Sequence, residues 1–156
     1  MPLQSAGILL YRLNEHGPEV LLVHHGGPFH AHKDAGAWSI PKGLLEDDED
    51  GLTTAKREFR EELGIDVPAA TFTPLPPVKQ KGGKIVHAWA APGDMDVEKV
   101  RSNLFRIEYP PKSGKWQEFP EVDRAEWFGF ALAKEKILAA QIPFITALEQ
   151  QLPHDK

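Results

Sequence analysis

Three glutamates at positions 58, 61 and 62 stand at i, i+3 and i+4 in the run Arg57-Glu58-Phe59-Arg60-Glu61-Glu62-Leu63-Gly64. An α-helix turns about 100° per residue, so that spacing gathers all three carboxylates on one flank. Like charges so placed repel and weaken the helix. They also crowd its last turns, where the negative end of the helix dipole makes acids least welcome. A solvated acidic face is the plain reading of such a run. Arg57 beside the cluster and a hard divalent cation with oxygen ligands would relieve both conflicts, so the run is read as a metal site. A calcium loop is the rival. With Glu46 at its first position, Asp48, Asp50 and Gly51 fall at the third, fifth and sixth. The twelfth position, which must carry a bidentate acid, is Arg57, and that reading fails.

The glutamates need a helix to hold them, and the chain supplies one. Leu52, Ala55, Phe59 and Leu63 recur with helical period in a sector about 80° wide, next to the acidic flank, and Gly64 suits the C-terminal cap. Upstream, Ser5–Leu13 and Glu19–His24 are apolar runs separated by Asn14-Glu15-His16-Gly17-Pro18, the pattern of a β-hairpin. Residues 26–36, rich in Gly, Ala and His, are expected to form a mobile loop, and Trp38-Ser39-Ile40 a short apolar stretch broken by Pro41 and Gly43. Further strands are expected at Ala70–Leu75, Lys84–Ala90, Leu104–Tyr109 and Ala125–Phe128, then helix over 131–140 and 143–152. This order predicts a mixed α/β sandwich over residues 1–156 as one domain.

Composition narrows the chemistry. The chain has 156 residues, 41% hydrophobic and 26% charged, as in ordinary globular domains. It has no cysteine, which excludes disulfides, thiolate catalysis and cysteine-ligated zinc. The apolar run Ala6–Tyr11 is too short for a bilayer and no leader pattern opens the chain, so a cytoplasmic protein without a membrane partner is expected. A net charge of −5 argues against duplex nucleic acid and leaves room for a small phosphorylated partner.

Gly43, five residues, Glu49, seven residues, then Arg57-Glu58-Phe59-Arg60-Glu61-Glu62-Leu63-Gly64-Ile65 resembles a complete, ungapped Nudix box. The resemblance implies an α/β/α sandwich with a mixed central sheet and a hydrolase of phosphoanhydride bonds. Glu58, Glu61 and Glu62 would hold Mg²⁺, with Mn²⁺ as a substitute and the Gly43 carbonyl as a further ligand. Arg57 would brace the glutamates, and Glu49 would support the helix and loop. Glu46, Asp47, Asp48 and Arg60 fall at variable positions and are read as solvated. A general base is also needed. Glu61 is the candidate within the box, and Glu118 and Glu121 are candidates from a loop before the C-terminal strand.

Pro41-Lys42-Gly43 resembles Nudix enzymes of dinucleoside or diphosphoinositol polyphosphates, where the lysine meets phosphate. Lys79, Lys81 and Lys84 surround Gly82-Gly83, so Lys84 joins Lys42 as a substrate-binding candidate. Trp89 could stack a nucleobase or fill the core, and Trp127 is expected in the core. His24, His25, His30 and His32 are read as exposed or substrate-adjacent rather than as metal ligands. Ser5–Arg12 and Phe119–Arg124 resemble small bacterial-type Nudix proteins of the NTP pyrophosphohydrolase kind. The spacers of coenzyme A and ADP-ribose enzymes are not evident after Ile65. A nucleoside diphosphate linked to another moiety, most simply a dinucleoside polyphosphate or an NTP, is the expected substrate. The alternative is a nucleotide- or diphosphoinositol-sensing module of the same fold without turnover, which usually loses box acids that this chain keeps.

Overall fold

The computed structural model describes residues 3–152. The two apolar runs at the start form a hairpin, β1 (Gln4–Asn14) and β2 (Gly17–His25), closed where Asn14 faces Gly17. β3 (Trp38–Ser39) extends the far end of β2, and β4 (Lys42–Leu44) pairs antiparallel with β1. After α1 (Gly51–Leu63) come β5 (Thr73–Lys79) and β6 (Ile85–Pro92). β6 runs parallel to β1, from Gln4 opposite Ile85 to Tyr11 opposite Pro92, and β5 forms the edge beyond it. β7 (Leu104–Glu108) and β8 (Trp116–Pro120) make a separate two-stranded sheet. β9 (Val122–Gly129) returns to pair with β2, and α2 (Phe130–Lys136) and α3 (Ile142–Gln151) end the fold.

Strand residues alternate between faces, and the alternation of β1 and β2 assigns each helix its side. Ala6, Ile8, Leu10, Leu21 and Val23 meet Ala55, Phe59 and Leu63 of α1. Leu9, Val20 and Leu22 face the opposite way, into Trp38, Ile40 and the α3 residues Phe144, Ile145 and Leu148. The result is the expected α/β/α sandwich around a mixed seven-stranded sheet. Among the described residues no helix is long and apolar enough to cross a membrane.

Both ends of α1 are closed by side-chain or backbone chemistry. Asp50 accepts a hydrogen bond from the Thr53 amide at 2.7 Å, satisfying one of the donors that a helix start leaves free. Gly64 adopts φ 74° and donates its N–H to the Arg60 carbonyl. A Cβ there would lie 2.4 Å from the Arg101 carbonyl oxygen, so the cap admits no side chain. Asp50→Ala should lower the unfolding free energy by about 1 kcal/mol in urea denaturation, with an unchanged dependence on denaturant.

Several expectations shift. The strand expected at Ala70–Leu75 begins at Thr73 and runs through three prolines to Lys79. An edge position and a register shift between Leu75 and Val78 accommodate residues that cannot donate to a ladder. The expected helix over 131–140 stops at Lys136, where Ile137 bridges to Trp38 and the Leu138 amide donates to the Trp38 carbonyl. β4 and β8 have no counterpart in the sequence reading. Trp127 is only half-buried, with Arg12 over its ring and its indole N–H donated to the Met95 carbonyl. The loop of residues 26–36, expected to be mobile, is anchored at its C-terminal end. The Gly36 amide donates to the Glu135 carbonyl, and Asp34 pairs with Lys136 and accepts from the Trp38 indole.

Candidate active site

The stripe that docks α1 on the sheet also draws in an acid. Glu62 follows Phe59 by one turn and lies only 4% exposed, in the cavity wall with Lys42, Glu58 and Glu121. Its carboxyl group is pushed up to about 9, first by burial and then by the charges of Glu58 and Glu121, with Lys42 opposing. Glu58 is also raised, by burial and then by Glu61. The close approach of Gly43 makes room for it. Opposite Ala6 in the sheet, Gly43 faces α1, and a Cβ there would lie 2.0 Å from the Glu58 carboxyl carbon.

Arg57 gathers the remaining acids. Its Nε and Nη2 donate to the two oxygens of Glu49, each at 3.0 Å, the fork geometry that only a guanidinium provides. Its Nη1 donates to Glu58 at 2.8 Å and to Glu61 at 3.1 Å. Glu49 is held down at about 2, chiefly by Arg57 and then by Thr54. Glu46 reaches the same guanidinium at 3.7 Å, so one of the acids read as solvated joins the outer edge of this network.

A cavity of roughly 290 Å³ opens beside Glu58 and Glu62 and also meets Glu121, Lys42, His25 and His30. Glu121 arrives there from far along the chain through a relay of backbone bonds. The Asn103 amide donates to the Glu61 carbonyl, the Glu121 amide to the Asn103 carbonyl, and the Gly26 amide to the Glu121 carbonyl. Burial, followed by Glu61, raises the Glu121 carboxyl above its ordinary value. Lys42 is pushed down to about 8 by burial and then by Lys84, whose ammonium group lies beside it. His25 is pushed down to about 4 by burial and then by Lys42, so it is neutral at neutral pH. A larger cavity of roughly 410 Å³, near Arg101 and Arg124, contains none of the α1 glutamates.

The structure thus brings Lys42, Glu58, Glu62 and Glu121 to one cavity, with Gly43, Arg57 and Glu61 immediately behind and Lys84 next to Lys42. Trp89 lies apart. Its indole packs at the start of α1, where a Cβ on Gly51 would be 2.6 Å from the ring. Glu118 is exposed on β8, opposite Arg106. Of the histidines, His25 and His30 line the cavity, but His24 is wholly buried, contrary to the reading of it as exposed or substrate-adjacent. Its Nδ1 meets Asp123 at 2.7 Å and its Nε2 the Lys33 carbonyl at 2.6 Å, which fastens the loop to the sheet. Two further lining residues, Gly26 and Phe105 on β7, were not among the site candidates, and Phe105 was expected only as part of a strand. Its β-prone surroundings signal a strand, but nothing local says which way that strand faces.

The donors suit a hard cation, since they are carboxylates with a carbonyl nearby. Among the described residues, however, no three His, Cys, Asp or Glu side chains stand together as a ready cage. Glu58 and Glu61 share one nitrogen of Arg57, whereas Glu62 lies in the cavity wall. The donor chemistry fits such a cation.

Comparison with known proteins agrees with this fold. Ap4A hydrolase from C. elegans superposes with a TM-score of 0.66 at 21% identity, covering 98% of this chain and 100% of that one. The NUDIX domain of Shewanella oneidensis NrtR, solved with ADP ribose, gives 0.67 at 18% identity, covering 98% and 90%. A Nudix hydrolase from M. smegmatis, RenU, gives 0.63 at 18%, covering 98% and 89%. Identities so low speak for the fold. The family model of the NUDIX domain matches residues 1–148, which include the glutamate helix, Gly43 and the Glu121 corner. The chain therefore belongs to the Nudix family, and its class is that of the Nudix pyrophosphohydrolases.

Proposed function

We propose that the protein hydrolyses a phosphoanhydride bond in a nucleoside diphosphate linked to another moiety, with dinucleoside polyphosphates and NTPs as the first substrates. The observation that carries this reading is the meeting of Glu58, Glu62 and Glu121 with Lys42 in one cavity. Acids alone would repel a polyphosphate, and lysines alone would bind it without the means to cut it. Glu58, Glu61, Glu62 and the Gly43 carbonyl would hold Mg²⁺, or Mn²⁺ in its place. When bound, the cation supplies neutralisation of the phosphate oxygens and a more acidic water. Lys42 and Lys84 bind the phosphate chain, since two adjacent ammonium groups repel until an anion comes between them. Arg57 orients Glu58 and Glu61.

Glu121 is the proposed base. It reaches the cavity, its raised pKa favours taking up a proton, and neither Arg57 nor a helix position restrains its carboxylate. Glu61 is engaged with Arg57, and Glu118 faces outward on β8. Glu121→Gln should cut kcat by about 100-fold or more while changing KM little. An equal loss in Glu118→Gln with none in Glu121→Gln would reassign the base.

The direct experiment is a Mg²⁺-supported hydrolysis screen across dinucleoside polyphosphates, NTPs, nucleotide sugars and diphosphoinositols. Turnover of the first two classes is expected, with loss on adding a chelator. No turnover of any class would overturn the reading. Gly43→Ala offers a steric check, because the added methyl must push the Glu58 carboxyl aside. We expect a 10- to 100-fold drop in kcat/KM, on the order that a 1 Å misplacement costs, with little change in melting temperature.

A further inference from the structure

Phe105 puts a phenyl ring on the wall of the carboxylate cavity. The hairpin of β7 and β8 delivers it there. Strand alternation places Phe105 and Ile107 on one face and Leu104 and Arg106 on the other, where Arg106 lies over the exposed Trp116. Phe119 stands directly opposite Phe105 in the ladder, with ring centroids 6.1 Å apart and a tilt of 39°. The root of the hairpin is fastened to the end of α1 through the Asn103 amide and the Glu61 carbonyl, two residues from Phe105.

The ring is also held at its tip. Gly27 has φ 99°, and a Cβ there would lie 2.8 Å from the Phe105 ring carbon Cζ. Farther along, Phe29 of the same loop meets Tyr109 edge-on at 5.7 Å. Phe105 is therefore backed by Phe119 and braced by the glycine loop, yet it remains half-exposed at the cavity rather than withdrawn into either core cluster. A fixed π face beside a site for charged phosphates is what a planar, weakly polar group needs for stacking. Trp89, the other aromatic candidate, is taken up by packing against α1.

From this juxtaposition of an aromatic wall with phosphate-binding and carboxylate groups, we propose that Phe105 stacks on the nucleobase of the substrate and is a specificity-determining residue of the site. The assignment rests on the reading of the cavity as a nucleotide phosphoanhydride site. It makes the base, rather than the phosphate chain alone, a source of affinity.

The test compares two ligands in the presence of Mg²⁺ by calorimetry: α,β-methylene ATP, whose α–β bridge resists hydrolysis, and inorganic tripolyphosphate, which has the anhydride chain but no base. Phe105→Leu keeps apolar bulk against Gly27 and Phe119 but removes the π face, and Phe105→Trp restores one. Phe105→Leu is expected to weaken the nucleotide analogue roughly 10- to 100-fold, the range of one base–aromatic stack, and to leave tripolyphosphate within about twofold. Phe105→Trp should bind the analogue within about threefold of the unaltered protein. Equal weakening of both ligands would mean that Phe105 only supports the fold, and unchanged binding of the analogue would mean that the base lies elsewhere; either overturns the proposal. If the unaltered protein binds the two ligands equally, the base is not recognised and the proposal fails, while the phosphoanhydride reading stands. If it binds neither, that reading fails first.

Discussion

Glu62→Gln should remove at least about 99% of turnover and at the same time make the metal-free protein more stable in alkaline buffer. The first effect follows from the proposed role of Glu62 as a metal ligand, whose charge is lost at nearly constant size; even changes one shell farther out cost metal sites 10- to 100-fold. The second follows from proton linkage. An unfolded glutamate titrates near 4.5, whereas burial raises Glu62 to about 9 in the fold. Between those values the folded chain keeps a proton that the unfolded chain has lost, so the stability of the metal-free protein falls as pH rises across the window and levels off above it. Glutamine carries no such proton. The advantage of the variant should be near zero at pH 4.5 and grow steadily as the pH rises toward 9. Cation binding must displace the same proton, so Mg²⁺ affinity of the unaltered protein should rise with pH over that range and the rise should flatten in Glu62→Gln. Thermal melts with chelator at pH 5 and pH 8.5, alongside Mg²⁺ titrations, decide the matter. A variant that is less stable at both pH values would show that Glu62 is an ordinary satisfied core group.

Arg57→Lys should be nearly as damaging, although it preserves charge. The guanidinium makes two bonds to Glu49 and further bonds to Glu58 and Glu61, arranged so that one planar group serves three carboxylates. An ammonium group on a flexible stem cannot span them. Glu58 and Glu61 then lose their fixed direction, and a fall in kcat/KM of about 100-fold is expected with most of it in kcat. Stability should fall modestly, by a few °C in Tm, because the group is partly solvated. The pH dependence gives a sharper signature. Glu49 is depressed to about 2, so its pairing adds stability above its ordinary value near 4.5 and loses it as pH drops through about 2. With lysine in place of Arg57, the acid limb of the stability curve should move up toward pH 4. An unshifted acid limb, or full activity, would remove Arg57 from the site.

The two substitutions separate two kinds of knowledge. The Arg57–Glu49 pair is eight positions apart and the glutamate cluster four, both within one helix and its entry loop. Side-chain direction over such distances follows from helical geometry, which is why the acidic flank, the apolar stripe and the Gly64 cap were all readable from spacing. Spacing did not show that Glu62 itself would be drawn under the sheet. That depends on the sector where the flank meets the stripe, and on Glu58 and Glu121 closing around it.

What the sequence by itself determined is the local chemistry: the helix, its three carboxylates, their arginine, the hairpin before them and the family to which they belong. Tertiary structure alone decided which distant groups meet those carboxylates. Glu121 reaches the cavity only because β9 pairs with β2 and the Gly26 amide bonds the Glu121 carbonyl. The register shift between His24 and His25 helps send the first into a buried bond with Asp123 and the second into the cavity. Phe105, expected only as part of a strand, proved to be a wall of the site, while Trp89, the expected aromatic, lies against α1. Strand pairing joins residues many positions apart, and a shift of one residue in register reverses the face each side chain presents. Helical periodicity contains no record of that choice, so the carboxylate helix was legible in one dimension and the rest of the cavity wall was not.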